Sequence, residues 1–161
     1  MATYLDTSAL VKAYITEPGT EVVKQIIRSP RESLVLSEHV ALEVLATLSY
    51  KFRDRQFTSR RYRKAREAFF RDYEDGFTVV SVTNGVVRTA MQLADTYRSI
   101  GVGSLDLIHV ATALHLCESN SPQSFTVACA DRSMRLLASA AGFQVFDPEN
   151  DDVAKLGAAA N

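Results

Sequence analysis

The sequence predicts an α/β fold, with a mainly parallel sheet of roughly five strands covered by helices on both faces. Three observations lead there. Short apolar runs alternate along the chain with longer segments whose apolar residues recur at helical spacing. The 161 residues, 47% of them hydrophobic, are enough for one core and too few for two comfortable domains. Acidic residues interrupt apolar stretches where strands hand over to helices or helices begin: Asp6, Glu43, Asp106 and Asp131.

Taken in order, residues 2–5 form a first strand ending at Asp6, and Thr7 or Ser8 caps a short helix that stops before Glu17-Pro18-Gly19. From Glu21, Val22, Val23, Ile26 and Ile27 mark a helix closed by Pro30. Residues 33–36 are a second strand, and Ser37 is placed to cap the long helix carrying Glu43, with Val40, Val44, Leu45 and Leu48 as its core stripe. Residues 58–75 form a further helix with Tyr62, Ala65, Phe69 and Tyr73 on its apolar side. A third strand covers 77–82. The helix of Val86, Val87, Ala90, Met91, Leu93, Ala94 and Tyr97 is closed by Gly101, and Ser104 caps the next, with Asp106 in its first turn, where the helix dipole favours a carboxylate. A fourth strand, 125–129, leads to Asp131; a helix spans 133–141; a last strand covers 143–146. One domain over 1–147 is expected, followed by a flexible tail, 148–161, with little to pack.

No N-terminal segment joins a charged start to a long apolar run, and no stretch of 18 uninterrupted apolar residues occurs. The expectation is a cytoplasmic protein with no membrane partner. Cys117 and Cys129 sit in apolar contexts, as buried free thiols rather than a disulfide or zinc site. The formal net charge is -1, but nine of the 18 Lys and Arg fall between Lys51 and Arg71 against two acids. That local excess, with Arg60, Arg61, Arg63 and Lys64 at its centre, can contact phosphates although the whole chain is nearly neutral; a solvated charged helix face is the plainer reading.

The four acids carry the chemistry. In parallel α/β sheets ligands bind beyond the carboxyl ends of the strands, where strand order reverses. Asp6 and Asp131 both follow strands, and Glu43 and Asp106 open helices that can begin at the same end. Gathered carboxylates repel one another and raise each other's pKa unless a cation neutralises them, and an oxygen-only donor set selects Mg²⁺ or Mn²⁺ over Zn²⁺. Asp6, Glu43 and Asp106 are expected to make the main metal shell, with Asp131 binding a second metal or positioning an attacking water. Each acid also has a plainer reading: a cap for Asp6, a dipole-favoured residue for Asp106, an ion pair for Glu43, a turn for Asp131.

Asp6 in Leu-Asp-Thr-Ser-Ala-Leu, Glu43 early in the third helix, Asp106 followed by Ala111 and Ala113, and Ala130-Asp131 followed by Ala141-Gly142-Phe143 together resemble the PIN-domain family. The length and the lack of an appended domain resemble the VapC-type toxins of toxin-antitoxin pairs. The resemblance, over roughly residues 2–147, implies a PIN-like three-layer α/β/α sandwich. It also implies an endoribonuclease that uses Mg²⁺ or Mn²⁺ held by these acids, forms a homodimer and is silenced by a small antitoxin. Cys129 departs from the pattern, since family members often have Thr or Ser two residues before the last Asp; Ser133 or Ser8 stands as an alternative source of a hydroxyl.

His39, one turn before Glu43, and His109, three residues after Asp106, are expected to edge the site through hydrogen bonds or packing rather than as a general base; His115 is assigned nothing. Thr7 and Ser8 are candidates to contact a metal-bound water or an RNA phosphate. Tyr62, Phe69, Phe70 and Tyr73 are expected in the core or a subunit interface rather than as base-stacking platforms. Two other classes are weighed: a phosphotransfer enzyme using Asp6 as nucleophile, disfavoured because no Asp-x-Asp pair follows the first strand, and a non-catalytic RNA- or protein-binding module.

Overall fold

The computed structural model describes residues 2–29, 33–117 and 122–158. Five strands, β1 (Ala2–Leu5), β2 (Ser33–Ser37), β3 (Thr78–Val80), β4 (Phe125–Ala128) and β5 (Gln144–Phe146), form one sheet in the order β3-β2-β1-β4-β5. Every neighbouring pair is parallel. The helices are α1 (Thr7–Leu10), α2 (Thr20–Arg28), α3 (Val40–Arg53), α4 (Ser59–Asp75), α5 (Asn84–Thr96), α6 (Ser104–Leu116), α7 (Arg132–Ala140) and α8 (Ala154–Ala158), with a 3-10 turn at Val11–Ala13 continuing α1.

Strand alternation divides the core into two layers. Leu5, Leu34, Leu36, Ala128 and Phe146 face one side, packed by Leu10 of α1, Ile26 of α2, Val40, Val44 and Leu48 of α3 and Phe69 of α4. Tyr4, Val35 and Val127 face the other, packed by Val86 and Leu93 of α5, Val110 and Ala113 of α6 and Leu137 of α7. Two helical layers therefore sandwich a sheet buried on both sides, as the sequence predicts. Full burial of a side chain such as Leu36 or Leu48 stabilises the fold by about 1.5–3 kcal/mol.

Several boundaries differ from the sequence reading. Asp6 itself caps α1, accepting from the Ser8 amide, so Thr7 and Ser8 lie inside the helix. Ser37 stays in β2 and its hydroxyl bonds His39 Nδ1 at 2.7 Å, while α3 starts only at Val40 without a side-chain cap. Leu45 is half-buried rather than part of the fully buried stripe. β3 is half the expected length because it pairs only with the last three residues of β2, at the sheet edge. Thr83 caps α5, which ends at Thr96, before Gly101. Gly103 precedes α6 and Ser104 is its first residue. Pro30, expected to close α2, lies outside the described residues; the helix ends at Arg28.

The segment after Phe146, where little packing is expected, carries Leu156 into the core at 4% exposure and packs Val153 beside it. Glu149 accepts from the buried Lys12 ammonium at 2.6 Å, and Arg135 pairs with Asp147 at 2.9 Å. Gly19 is where this segment meets α2: its φ is +85°, and a Cβ there would lie 2.5 Å from the Pro148 carbonyl oxygen. Gly19→Ala is therefore expected to destabilise the protein by about 1–3 kcal/mol, through left-handed strain and displacement of Pro148. A lowered urea midpoint at constant slope checks this; an unchanged midpoint refutes it.

Candidate functional site

The strand order reverses between β1 and β4, and the site lies at their carboxyl ends. The Asp6 amide donates to the Ala128 carbonyl at 3.0 Å, so the chain leaving β1 is registered against the end of β4 before either turns into a helix. Asp6, Glu43, Asp106 and Asp131 line one cleft of about 430 Å³, together with Thr7, Ser8, Lys12, Glu17 and Thr47. All four predicted acids are thus brought together, Glu43 from the helical layer on one face of the sheet and Asp106 from the layer on the other.

Three of the carboxylates are fixed by a local backbone device, and Glu43 by a hydroxyl from a distant helix. Asp6 Oδ2 accepts from the Ser8 amide at 3.0 Å and the Ser8 hydroxyl at 2.5 Å. Asp106 Oδ2 accepts from the Gly103 amide at 3.0 Å, and Asp131 Oδ1 caps α7 by accepting from the Met134 amide at 2.8 Å. Glu43 Oε2 accepts from the Thr7 hydroxyl at 2.6 Å. The capping role weighed for Asp6 is real, and Asp106 and Asp131 cap their helices as well, yet in all three the cap occupies one carboxylate oxygen and leaves the second for another partner.

Ser8 organises the floor. Its hydroxyl donates to Asp6 and accepts from the amides of Ala130 at 2.9 Å and Asp131 at 3.2 Å. One donor and two acceptor sites are then filled. The Ser8 hydroxyl, a candidate RNA contact, ties the Asp6 turn to the Asp131 turn. Cys129 is fully buried, with its thiol pKa pushed up by burial and by the Asp6 charge. The hydroxyl that meets the turn after it is that of Ser8, through the amides of Ala130 and Asp131.

His109 is more central than the sequence indicates. Its Nε2 lies 3.1 Å from Asp6 Oδ1 and 2.9 Å from Glu43 Oε2, and its Nδ1 lies 2.8 Å from the Tyr4 hydroxyl. Burial lowers its pKa, but the Asp6 charge and the Glu43 hydrogen bond outweigh burial and raise it. His39, with its ring centroid 4.3 Å from that of His109, is driven the other way, to about 4, by burial and by the His109 charge. Burial works to raise the Glu43 pKa, yet hydrogen bonds from His109 and Thr7 bring it below the usual carboxylate value. Tyr4, Lys12 and Arg135 are the site neighbours sequence reasoning missed. Arg135 Nη1 donates to the Ala130 carbonyl at 2.6 Å, bracing the turn before Asp131. His115 faces α5 instead, 2.9 Å from Thr89 Oγ1.

The shifts of the two histidines carry an expectation for the pH profile of the metal-free protein. Between about 4 and 6.5 the unfolded chain binds a proton at His39 that the native state refuses, so stability falls as pH drops through that window. His109 has the opposite sign: its contribution is full below 6.5 and is lost as pH rises through the raised native value. In EDTA, the melting temperature is expected to peak near pH 6.5, and His39→Asn should flatten the acid limb. A melting temperature that climbs steadily above pH 6.5 would contradict the His109 assignment.

The donor set fits a hard divalent cation. Asp106 has its pKa raised by burial first, against the Gly103 hydrogen bond, and then by the charges of Asp6 and Asp131, so negative charge at the site exceeds its compensation. The ammonium that lines the cleft, Lys12 Nζ, is held by Glu149 at 2.6 Å and Glu17 at 3.6 Å. Asp6, Glu43, Asp106 and Asp131 are the residues that would hold the ion.

The basic stretch lies along α3 and α4. Thr47 and Lys51 follow Glu43 at successive i+4 positions, and Lys51 bonds Glu17 of the cleft at 2.6 Å. Arg60, Arg61, Arg63 and Lys64 are exposed. Arg61 stacks on Phe57 at 4.4 Å and Arg66 on Phe70 at 4.9 Å, while Phe69 is fully buried, so these aromatics are core and supports for arginines.

The PIN domain family model matches residues 3–121, a span that holds Asp6, Glu43 and Asp106, with Asp131 beyond it. The fold resembles that of Mycobacterium tuberculosis VapC20, a Sarcin-Ricin loop cleaving toxin, at a TM-score of 0.62 and 19% identity over 88% of this chain and 95% of that one. FitAcB from Neisseria gonorrhoeae gives 0.62 and 18% over 92% and 99%. VapBC2 from Rickettsia felis, bound to a promoter DNA fragment, gives 0.62 and 11% over 91% and 98%. No curated protein matches the sequence significantly. With the family model spanning well over half of the chain and its matched segment delivering three of the four clustered acids, the chain belongs to the PIN-domain family.

Proposed function

We propose that this protein is the VapC-type toxin of a toxin-antitoxin pair, an endoribonuclease that hydrolyses phosphodiester bonds with Mg²⁺ or Mn²⁺. The observation that carries the reading is the convergence of Asp6, Glu43, Asp106 and Asp131 on one cleft at the strand-order reversal, where burial and then the charges of Asp6 and Asp131 push the Asp106 pKa up. A bound divalent ion supplies Lewis-acid polarisation of the phosphate and lowers the pKa of a water to make the nucleophile. The chain's own part is orientation. The Ser8 network holds the Asp6 and Asp131 turns in one register, and Thr7 aims Glu43 into the cleft. Asp131 is placed to accept a hydrogen bond from the attacking water. The exposed cations of α4 bind RNA phosphates electrostatically, so a structured RNA such as tRNA or rRNA is the substrate class.

The other assignments follow the same reading. Structural neighbours such as FitAB bound to DNA and VapBC-1 from Haemophilus influenzae support a cognate antitoxin as partner. The exposed Val87, Met91 and Leu105 flank an apolar groove between α5 and α6 that suits a homodimer contact. No described helix is long and apolar enough to cross a membrane, and a cytoplasmic location goes with the proposed RNA targets.

The test is incubation with end-labelled tRNA and rRNA fragments in Mg²⁺ or Mn²⁺, with EDTA as control. Discrete metal-dependent cuts support the reading. RNA bound without cleavage, equally by wild type and carboxylate variants, would replace it with a non-catalytic binding module.

A further inference from the structure

His39, Glu43 and His109 form a second cluster against the wall of the carboxylate cleft, and we infer that it is a binding site for a divalent transition-metal ion of the Zn²⁺ class. Their ligand atoms lie within 4.8 Å of one another, with Glu43 Oε2 2.9 Å from His109 Nε2 and 3.5 Å from His39 Nε2. A tetrahedral ion with bonds of about 2.0–2.2 Å spaces its donor atoms roughly 3.3 Å apart, which the two observed separations bracket. Asp6 Oδ1 borders the cluster, 3.1 Å from His109 Nε2, and the three residues themselves leave a fourth position for water.

Two further features point to a ligand. His39 Nε2 is buried and has no hydrogen-bond partner among the described residues, an arrangement that costs free energy unless something binds it. The far nitrogen of each ring is held by a hydroxyl on a strand. Ser37 Oγ of β2 lies 2.7 Å from His39 Nδ1, and the Tyr4 hydroxyl of β1 lies 2.8 Å from His109 Nδ1; Ser37 and Tyr4 are themselves fully buried. A hydroxyl accepts from Nδ1–H as readily as it donates, so both rings can carry their proton on Nδ1 and present the Nε2 lone pair to one point. Outer hydrogen bonds of this kind orient metal-binding imidazoles.

Two imidazole nitrogens and a carboxylate favour Zn²⁺, Co²⁺ or Ni²⁺, whereas the four carboxylates alone favour Mg²⁺ or Mn²⁺. Both sites need Glu43, so an ion of the Zn²⁺ class displaces the hard cation. That antagonism rests on the nuclease reading; the site itself does not.

Co²⁺ is the probe, titrated into chelator-treated protein and read by visible absorption. Expected are saturable binding with the strong bands of a four- or five-coordinate site, loss on adding Zn²⁺ and persistence in excess Mg²⁺. His39→Asn should weaken the affinity at least tenfold, with thermal melting of the metal-free variant showing that it still folds. Ser37→Ala, which leaves every ligand in place, should weaken it about tenfold, and Asp106→Asn should leave it within twofold. Weak octahedral bands, binding indifferent to His39→Asn, binding abolished by Asp106→Asn, or no uptake at millimolar Co²⁺ would each overturn the inference. Histidine-dependent Co²⁺ binding in a protein that cleaves no RNA would uphold the site and remove only the antagonism.

Discussion

Asp6→Asn and Asp106→Asn are each expected to reduce RNA cleavage by at least roughly a hundredfold, the scale of removing one preorganised electrostatic interaction from an active site. Both substitutions keep side-chain volume and a cap acceptor. Asn at position 6 can still accept from the Ser8 amide, and Asn at position 106 from the Gly103 amide. What is lost is a negative charge on a cleft built from such charges. The two differ in stability. Asp6 is 4% exposed and faces His109, so its replacement leaves that imidazole with Glu43 alone as a carboxylate partner. Asp106 carries a pKa raised by burial and then by the charges of Asp6 and Asp131, and Asp106→Asn removes the charge that both disfavour. The expected signature is thus abolished cleavage in both, with a lower melting temperature for Asp6→Asn and an equal or higher one for Asp106→Asn in EDTA. Single-turnover cleavage beside thermal melts measures it. Cleavage within a few fold of wild type in both variants would remove the carboxylates from the chemistry.

The second large effect concerns substrate capture. Replacing Arg60, Arg61, Arg63 and Lys64 together with Ala removes four exposed cations from α4. RNA affinity should fall between about tenfold and a thousandfold at moderate salt. The slope of log affinity against log salt should become shallower by about 0.7 for each phosphate that is no longer neutralised. Stability should change little, since exposed substitutions away from caps and core are usually within about 0.5 kcal/mol each. Arg61 is the exception to watch, because it covers the buried Phe57 ring at 4.4 Å. Cleavage at saturating RNA should persist. An unchanged affinity and salt slope would assign this charge to the plain role of a solvated helix face.

The layout of the fold was legible because parallel strands and crossover helices leave separate periodicities in the chain. Asp6 and Asp131 were readable for a related reason: each stands where an apolar strand ends, and strand ends on the same edge meet. Boundaries went astray where a side chain answers to a distant group rather than to its own backbone. Ser37 has the chemistry of a cap but its hydroxyl goes to His39, which is oriented toward a helix of the opposite layer. His109 is the strongest case. Its partners Tyr4, Asp6 and Glu43 lie 105, 103 and 66 residues away in sequence, so no local spacing marks it as the group between two carboxylates. Lys12 and Glu149, 137 residues apart, and the burial of Leu156 are invisible for the same reason. The one local signal was His109 itself, three residues after Asp106 on a helix whose neighbours are nearly all apolar.

The chemical nature of the cleaved RNA ends tests the central claim most directly, because the site holds two machineries side by side. In the proposed mechanism the four carboxylates serve a metal-activated water; the competing one has two adjacent imidazoles deprotonate the ribose 2′-hydroxyl. The account predicts linear phosphate ends, and cleavage that survives a 2′-deoxy substitution at the scissile nucleotide but not EDTA. Ends bearing 2′,3′-cyclic phosphate, formed in EDTA and lost in the 2′-deoxy substrate, would transfer the catalysis from the carboxylates to His39 and His109.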